Sequence, residues 1–287
     1  MPILRNQDLM DEIGKKGIIR FTRNTSSLPK WDVNLDKLRT LLTDQEKQSS
    51  VLSPAERKDE GKIPVETIGG GAQPTPVASI VVIGGGADRS GLTARHNGTT
   101  VTLKAPKGKG GLILIALGGA GDESKTNAGT PSDGGDATVE GEEESLLIAM
   151  GGAGGTGNEK SGNNGGKGGA ASVVGQDTNQ AHSQGGKGGN GSAGLPALHQ
   201  GKAGEGGRGG NAKVQMGAGC YIVVLGGDGG TGGPGAKAPF SQPGDGGNGG
   251  DTTETHGSGS VVGDDTPGGS GAGGGPGASR GTRGKKL

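Results

Sequence analysis

The sequence predicts a glycine-rich bundle or sandwich of polyglycine II helices carrying short β-strands, with little α-helix and that confined to an N-terminal arm. Three observations predict it. Glycine is concentrated after residue 67, the glycine runs have a three-residue period, and apolar runs recur at repeat spacing. Of 70 glycines in 287 residues, only Gly14, Gly17 and Gly61 precede residue 68. Charge splits the other way: residues 1–67 hold 23 of the 58 charged side chains, 29 basic plus 29 acidic. The four aromatics, Phe21, Trp31, Tyr221 and Phe240, are too few for an ordinary core, in which aromatics and large aliphatics dominate burial.

Residues 1–67 read as an anchoring arm that alternates apolar pieces with charge and folds onto a partner. Within it "DKLRTLLTDQEKQSSVL" (36–52) brings Leu38, Leu41 and Leu42 together, which predicts one short amphipathic helix. Pro54, Pro64, Pro74 and Pro76 then interrupt the chain. Residues 68–109 read as a β-hairpin or linker element, because Asn97-Gly98 precedes the alternating Val101 and Leu103. Residues 110–277 form the repeat domain, and 278–287, with Arg280, Arg283, Lys285 and Lys286, read as a solvated basic tail.

Apolar runs begin near Ile80, Leu112, Leu146, Tyr221 and Val261, at spacings of 32, 34, 75 and 40. The third spacing is close to two units, which predicts a degenerate copy near residue 183. Such a period marks a repeat architecture, each unit running from an apolar run into glycine, a loop and glycine again.

The glycine runs "GGAGGTG" (151–157), "GGKGG" (165–169), "GGKGGNG" (185–191), "GGRGG" (206–210), "GGDGGTGG" (226–233) and "GGNGG" (246–250) have Gly at two positions in every three. A left-handed threefold helix of the polyproline II type then has two bare faces and one that carries side chains. That third face holds Ala153, Thr156, Lys167, Lys187, Asn190, Arg208, Asp228, Thr231 and Asn248, mostly polar and expected to face outward. Such helices make no internal hydrogen bonds, so every buried N–H and C=O has to pair with a neighbouring run. Collagen is excluded, because its frame is unbroken and these runs stop after five to eight residues.

Several functions are excluded on similar grounds. Gly152–Gly157 and Gly227–Gly232 satisfy G-x-G-x-x-G, but the segments after them are too rich in glycine and proline to open the helix that a dinucleotide needs. Net charge is zero, which argues against nucleic-acid binding. "LILIAL" is too short to span a membrane, and "MPILRNQDLMDE" is not a signal peptide, so the chain is expected to be made in a cytoplasm. His96, His182, His199 and His256 lack metal-ligand spacing, and the acidic "EGEEES" (140–145) reads as a solvated loop. No catalytic residue, metal or cofactor is expected, and the lone Cys220 reads as a small buried hydrophobe.

The GGxGG runs joined by variable loops resemble those of the glycine-rich adhesins at the long-tail-fibre tips of T-even-type bacteriophages, over about residues 110–277. The resemblance implies a polyglycine II sandwich whose loops contact a receptor on the host surface. It also implies location in a virion and an N-terminal arm held by another virion protein. A structural virion component without a receptor, such as a capsid decoration or minor tail protein, is the alternative. The run pattern is also similar to that of the springtail antifreeze proteins, which are secreted and contain disulfides. A flat face of Thr and Ala would mark ice binding, and the charged third positions argue against it.

If each unit runs out along one glycine run and returns along the next, segments 122–133, 158–164, 192–205 and 234–245 turn at one end. Function tends to sit in loops on a rigid scaffold. "GLPALHQ" with Leu195, Leu198 and His199, and "KAPFSQP" with Pro239 and Phe240, carry apolar groups that burial does not explain. These five, with Glu159 and Lys160 of the neighbouring loop, are the candidate receptor-binding residues.

Overall fold

The computed structural model describes residues 6–22, 31–49, 57–63, 67–68, 77–83, 98–123, 131–157, 162–194, 202–235, 242–263, 269–271, 273 and 278–287. The first elements are α1 (Asn6–Lys15), β1 (Ile19–Thr22), β2 (Trp31–Val33), α2 (Leu35–Ser49), β3 (Arg57–Ile63) and β4 (Thr67–Ile68). Next come β5 (Val77–Ile83), β6 (Val101–Lys104), β7 (Ile113–Leu117), β8 (Ala137–Gly141), β9 (Leu146–Met150) and β10 (Ala171–Gly175). The last are β11 (Gln180–Gln184), β12 (Ala212–Met216), β13 (Tyr221–Leu225), β14 (Thr252–His256) and β15 (Val261–Val262). Among the described residues, helix is thus limited to two segments near the N-terminus.

From β5 onward the strands form two stacked parallel sheets, of order β14-β12-β10-β8-β6 and β15-β13-β11-β9-β7-β5-β3, with only β3 antiparallel. The chain alternates between the sheets and makes a β-solenoid of about four turns. The strand at Gln180–Gln184 occupies the place of the expected degenerate copy, in register with Leu146–Met150 and Tyr221–Leu225. Inward side chains of both sheets, among them Leu103, Leu114, Val139, Leu147, Val173 and Ile222, form one core.

The N-terminal residues cover the outer face of the longer sheet. Leu9, Ile13, Trp31, Leu38 and Leu42 pack in one cluster with Ile113, Ile115, Ile148 and Met150. The described N-terminal residues thus pack on this chain's own sheet. α2 starts where Asn34 accepts the Lys37 N–H through Oδ1 at 3.0 Å, an N-cap, and it buries Leu38 and Leu42 fully. Because β7 and β9 are covered on both faces, every residue in them is buried, which is why their sequences read as continuous apolar runs.

The expected Asn97-Gly98 hairpin has its first arm and Asn97 outside the described residues, which resume at Gly98. Val101–Lys104 pairs in parallel with β8, and among the described residues it has no antiparallel partner. Gly98 does not lie in the left-handed region that the favoured hairpin turn needs. A Cβ there would instead collide with the Gly119 carbonyl oxygen and the Gly135 nitrogen. Close backbone packing, not a turn, requires this glycine. Nor is the C-terminus a free tail. Thr252 donates to the Lys285 carbonyl, Leu287 donates to Thr252, both at 2.8 Å, and a parallel bridge joins Thr252 to Lys286. The side chains of Arg280, Arg283, Lys285 and Lys286 remain exposed.

Beyond the strands the glycine runs continue the two sheets as two layers, one outgoing and one returning, and their backbone is bonded with a period of three. The first glycine of each triplet donates forward, to the next turn of its own layer: Gly151 to Gln184, Gly154 to Lys187 and Gly157 to Asn190, at 2.8–2.9 Å. The second donates backward to the opposite layer, as Gly152 does to Gly135, Gly169 to Gly152, and Gly186 to Gly169, each at 2.8 Å. An added Cβ would strike a neighbouring carbonyl oxygen at both positions: Gly166 O from Gly154, Gly119 O from Gly152. The two bare faces are thus buried against backbone.

The third position points outward, with Ala153, Lys167, Lys187, Arg208, Asp228, Thr231 and Asn248 exposed and Thr156 and Asn190 half-buried. Its N–H is commonly taken by an Asp or Asn Oδ1 from the preceding turn. Asp133 accepts from Lys167, Asp136 from Ala170, Asn164 from Glu205, Asn211 from Asp251, Asn248 from Thr282 and Asp251 from Lys285, at 2.7–2.9 Å. Asn190 and Asp228 do the same for Thr231 and Ser270 in the outgoing layer. Side chains thereby satisfy the donors that the glycine pairs leave over.

Candidate binding surfaces

Three surfaces stand out, and the first is the loop end. All seven candidate residues, Leu195, Leu198, His199, Pro239, Phe240, Glu159 and Lys160, lie outside the described residues. Their anchors are described and stack on one another at the end of the glycine layers away from the strands. Gly157 donates to Asn190, Gly191 to Thr231, Gly162 to Ala193 and Ala203 to Gln242, at 2.8–3.0 Å. Each loop therefore leaves and re-enters a backbone fixed by its neighbours on the stack.

A second surface is an open depression of about 380 Å³ on the outward face of the returning layer, close to the strands. Its floor is glycine backbone, Gly134, Gly135, Gly168, Gly209 and Gly210, and its rim includes Thr100, Asp133, Asp136, Lys167, Arg208 and Asn211. The strand register aligns Ala137, Ala171, Ala212 and Thr252. The residues preceding them, Asp136, Ala170, Asn211 and Asp251, consequently form one column. Ala170 is the only one of the four without a polar side chain, and it opens the depression. Arg208 is held by Asp251 at 2.6 Å and by Asn211 at 3.2 Å.

The third is a polar stripe on β11 under the N-terminal residues. The Gln180 side chain exchanges two hydrogen bonds with the Trp31 backbone, accepting at 2.9 Å and donating at 2.6 Å, and lies 2.8 Å from His182 Nε2. Because the Gln180 amide nitrogen is the donor in that contact, the His182 Nε2 is the acceptor. Burial depresses the His182 pKa to about 4, and its Nδ1 has no partner among the described residues. Arg39 of α2 donates to the Gln184 side chain at 3.1 and 3.2 Å and to the Gly151 carbonyl at 2.7 Å. Burial lowers the Arg39 pKa to about 10, so it stays charged at neutral pH. The stripe fastens the N-terminal residues to the point where strands pass into glycine.

Cys220 is buried, its pKa raised by desolvation, and its Sγ donates to the Gln176 carbonyl at 3.3 Å. Among the described residues no group of His, Cys, Asp and Glu has the geometry to hold a metal, and no helix is long and apolar enough to cross a membrane. Sequence reasoning took the third-position Asp and Asn as solvated, and missed their bonds to the next turn. Their spacing of 34, 40 or 41 residues from the accepted N–H equals the repeat length and is the signal that identifies them. Comparison with protein-family models, curated proteins and solved structures gives no match.

Proposed function

We propose that the protein is a bacteriophage virion adhesin, a tail-fibre tip or similar, without enzymatic activity. Its loops at 158–161, 195–201 and 236–241 would bind a protein or polysaccharide receptor on the host surface. The observation that carries this reading is the stacking of the loop anchors at one end of a fully bonded backbone, since recognition loops need a scaffold that holds them in place. The glycine runs are, in this reading, polyglycine II helices, which their three-residue bonding period supports. Another virion protein would meet the N-terminal region, and Leu195, Leu198, His199, Pro239 and Phe240, with Glu159 and Lys160, would contact the receptor.

The test is saturable binding of labelled protein to a panel of bacterial cells, followed by Phe240→Ser and Leu198→Ser. Loss of binding at unchanged melting temperature supports a receptor site. Lowered stability with binding intact would make these residues caps of the bundle. Absence of binding to any cell, with antibody labelling at a capsid or tail tube, would favour the structural virion component. Glycine φ and ψ from couplings and shifts in solution test the helix type, with values near −75° and +145° expected.

A further inference from the structure

We propose that the depression between Thr100 and Asn211 is a second binding site, for an extended, uncharged oligosaccharide. It is separate from the loop end, so it stands whether or not the loops bind a receptor. The floor is backbone of the glycine pairs Gly134–Gly135 and Gly209–Gly210 with Gly168, whose bare faces turn to the neighbouring runs, and the depression opens at Ala170, the small member of its column. A flat ring can approach the backbone beside Ala170.

Hydroxyl recognition needs donors and acceptors side by side, and the rim supplies both. Lys167 brings an ammonium and Asp136 a carboxylate, one oxygen of which is bound to the Ala170 N–H. Asn211 accepts from Arg208 and from the Asp251 N–H through Oδ1, which leaves its NH₂ as a donor. Charge decides between ligand classes. Lys167 and Arg208 face Asp133 and Asp136 in the lining, a formal sum of zero. Arg208 is paired with Asp251, which leaves Lys167 against the two carboxylates of Asp133 and Asp136. A phosphate or sulfated polymer is repelled here more than it is attracted, whereas a neutral polyol is not.

Periodicity selects an extended polymer over a single sugar. The depression crosses four successive turns, those of Thr100, Asp136, Ala170 and Asn211. Neighbouring turns are spaced as neighbouring strands are, about 4.8 Å apart, close to the length of one pyranose unit in an extended glycan. Successive rings can then meet equivalent rows of the scaffold. Among the described residues the lining has no aromatic platform, so weak binding is expected.

The experiment titrates the full chain with cellohexaose, with maltohexaose as a curved isomer and a heparin hexasaccharide as an anion, and monitors glycine amide shifts. Cellohexaose is expected to move the amides of Gly134, Gly135, Gly168, Gly209 and Gly210 and not those of Gly157 or Gly191. Ala170→Lys should weaken this at least tenfold with unchanged melting temperature. The neighbouring rows already carry Asp136, Asn211 and Asp251 in that column, so the scaffold accepts a long side chain there. No shift with cellohexaose, a stronger response to maltohexaose or heparin, or shifts that persist in Ala170→Lys would overturn the assignment. Cell binding through the loops is measured on the same variant and should be unaffected, so the two readings fail separately.

Discussion

Replacing Gly152 with Ala adds one methyl group to a backbone-only interface. The new Cβ falls against the Gly119 carbonyl oxygen, which lies in the preceding turn of the same layer and accepts the Gly135 N–H. Gly152 donates to Gly135 and accepts from Gly169, both at 2.8 Å, so moving Gly152 away from Gly119 strains two bonds at once. Overpacking costs about 2 kcal/mol, and two weakened bonds add about 1 kcal/mol each. The reduced freedom of an unfolded Ala returns at most about 1 kcal/mol, leaving a loss of about 3 kcal/mol. At 2–4 °C per kcal/mol, the melting temperature should fall by roughly 6–12 °C. Ala153→Val, one residue on at an exposed third position, should change it by less than about 2 °C. Calorimetry of the two variants beside the parent decides it. Equal melting temperatures would refute the claim that the second glycine of each triplet is held against backbone.

The same geometry makes further predictions. His182, neutral in the fold with a pKa near 4 against an ordinary 6.5, should make stability fall as pH drops from about 6.5 towards 4, by about 3 kcal/mol in all. The fall should level off below that, and His182→Gln should flatten this part of a pH–melting curve. Thr178 is β-branched at φ 56°, in the turn position that Gly219 fills one repeat later, so Thr178→Gly should stabilise by about 1 kcal/mol in chemical denaturation. Asp136→Ala removes the acceptor of the Ala170 N–H and should destabilise by about 1 kcal/mol, whereas Asp136→Asn, which keeps the oxygen, should be near neutral. Faster amide exchange at Ala170 in the first variant alone would report that bond directly.

What could be read from the sequence depended on whether a residue's environment is local. The strands of the longer sheet were legible because Ile113–Leu117 and Leu146–Met150 are buried on both faces. Their partners β8, β10 and β12 bury alternate positions, such as Ala137 and Val139, too few in five residues to stand out as a pattern. The outward third positions were legible from the triplet period, since a threefold run fixes which side chains share a face. The Asp and Asn bonds between turns were not, because their partner lies a whole repeat away. Most remote was the docking of the N-terminal residues, where Trp31 meets Gln180 across 149 positions. A short polar β11 under a Trp has no local signature. The receptor candidates Leu195, Leu198, His199, Pro239, Phe240, Glu159 and Lys160 rest on loop composition alone, and only their anchors are described.

The opposed direction of the glycine bonds has an electrostatic consequence. First-position peptides aim their N–H towards later turns and second-position peptides towards earlier ones, as Gly154 does to Lys187 and Gly152 to Gly135. Their dipoles therefore oppose one another along the stack. In an α-helix the peptide dipoles add, leaving roughly half a charge at each end. In the glycine layers the first-position peptides offset part of the dipole of the other two, so an end field grows less with each added turn than it does in an α-helix. Turns can then be gained or lost with a smaller change of potential at the ends, and much of the charge at the last turn is carried by side chains such as Arg283, Lys285 and Lys286.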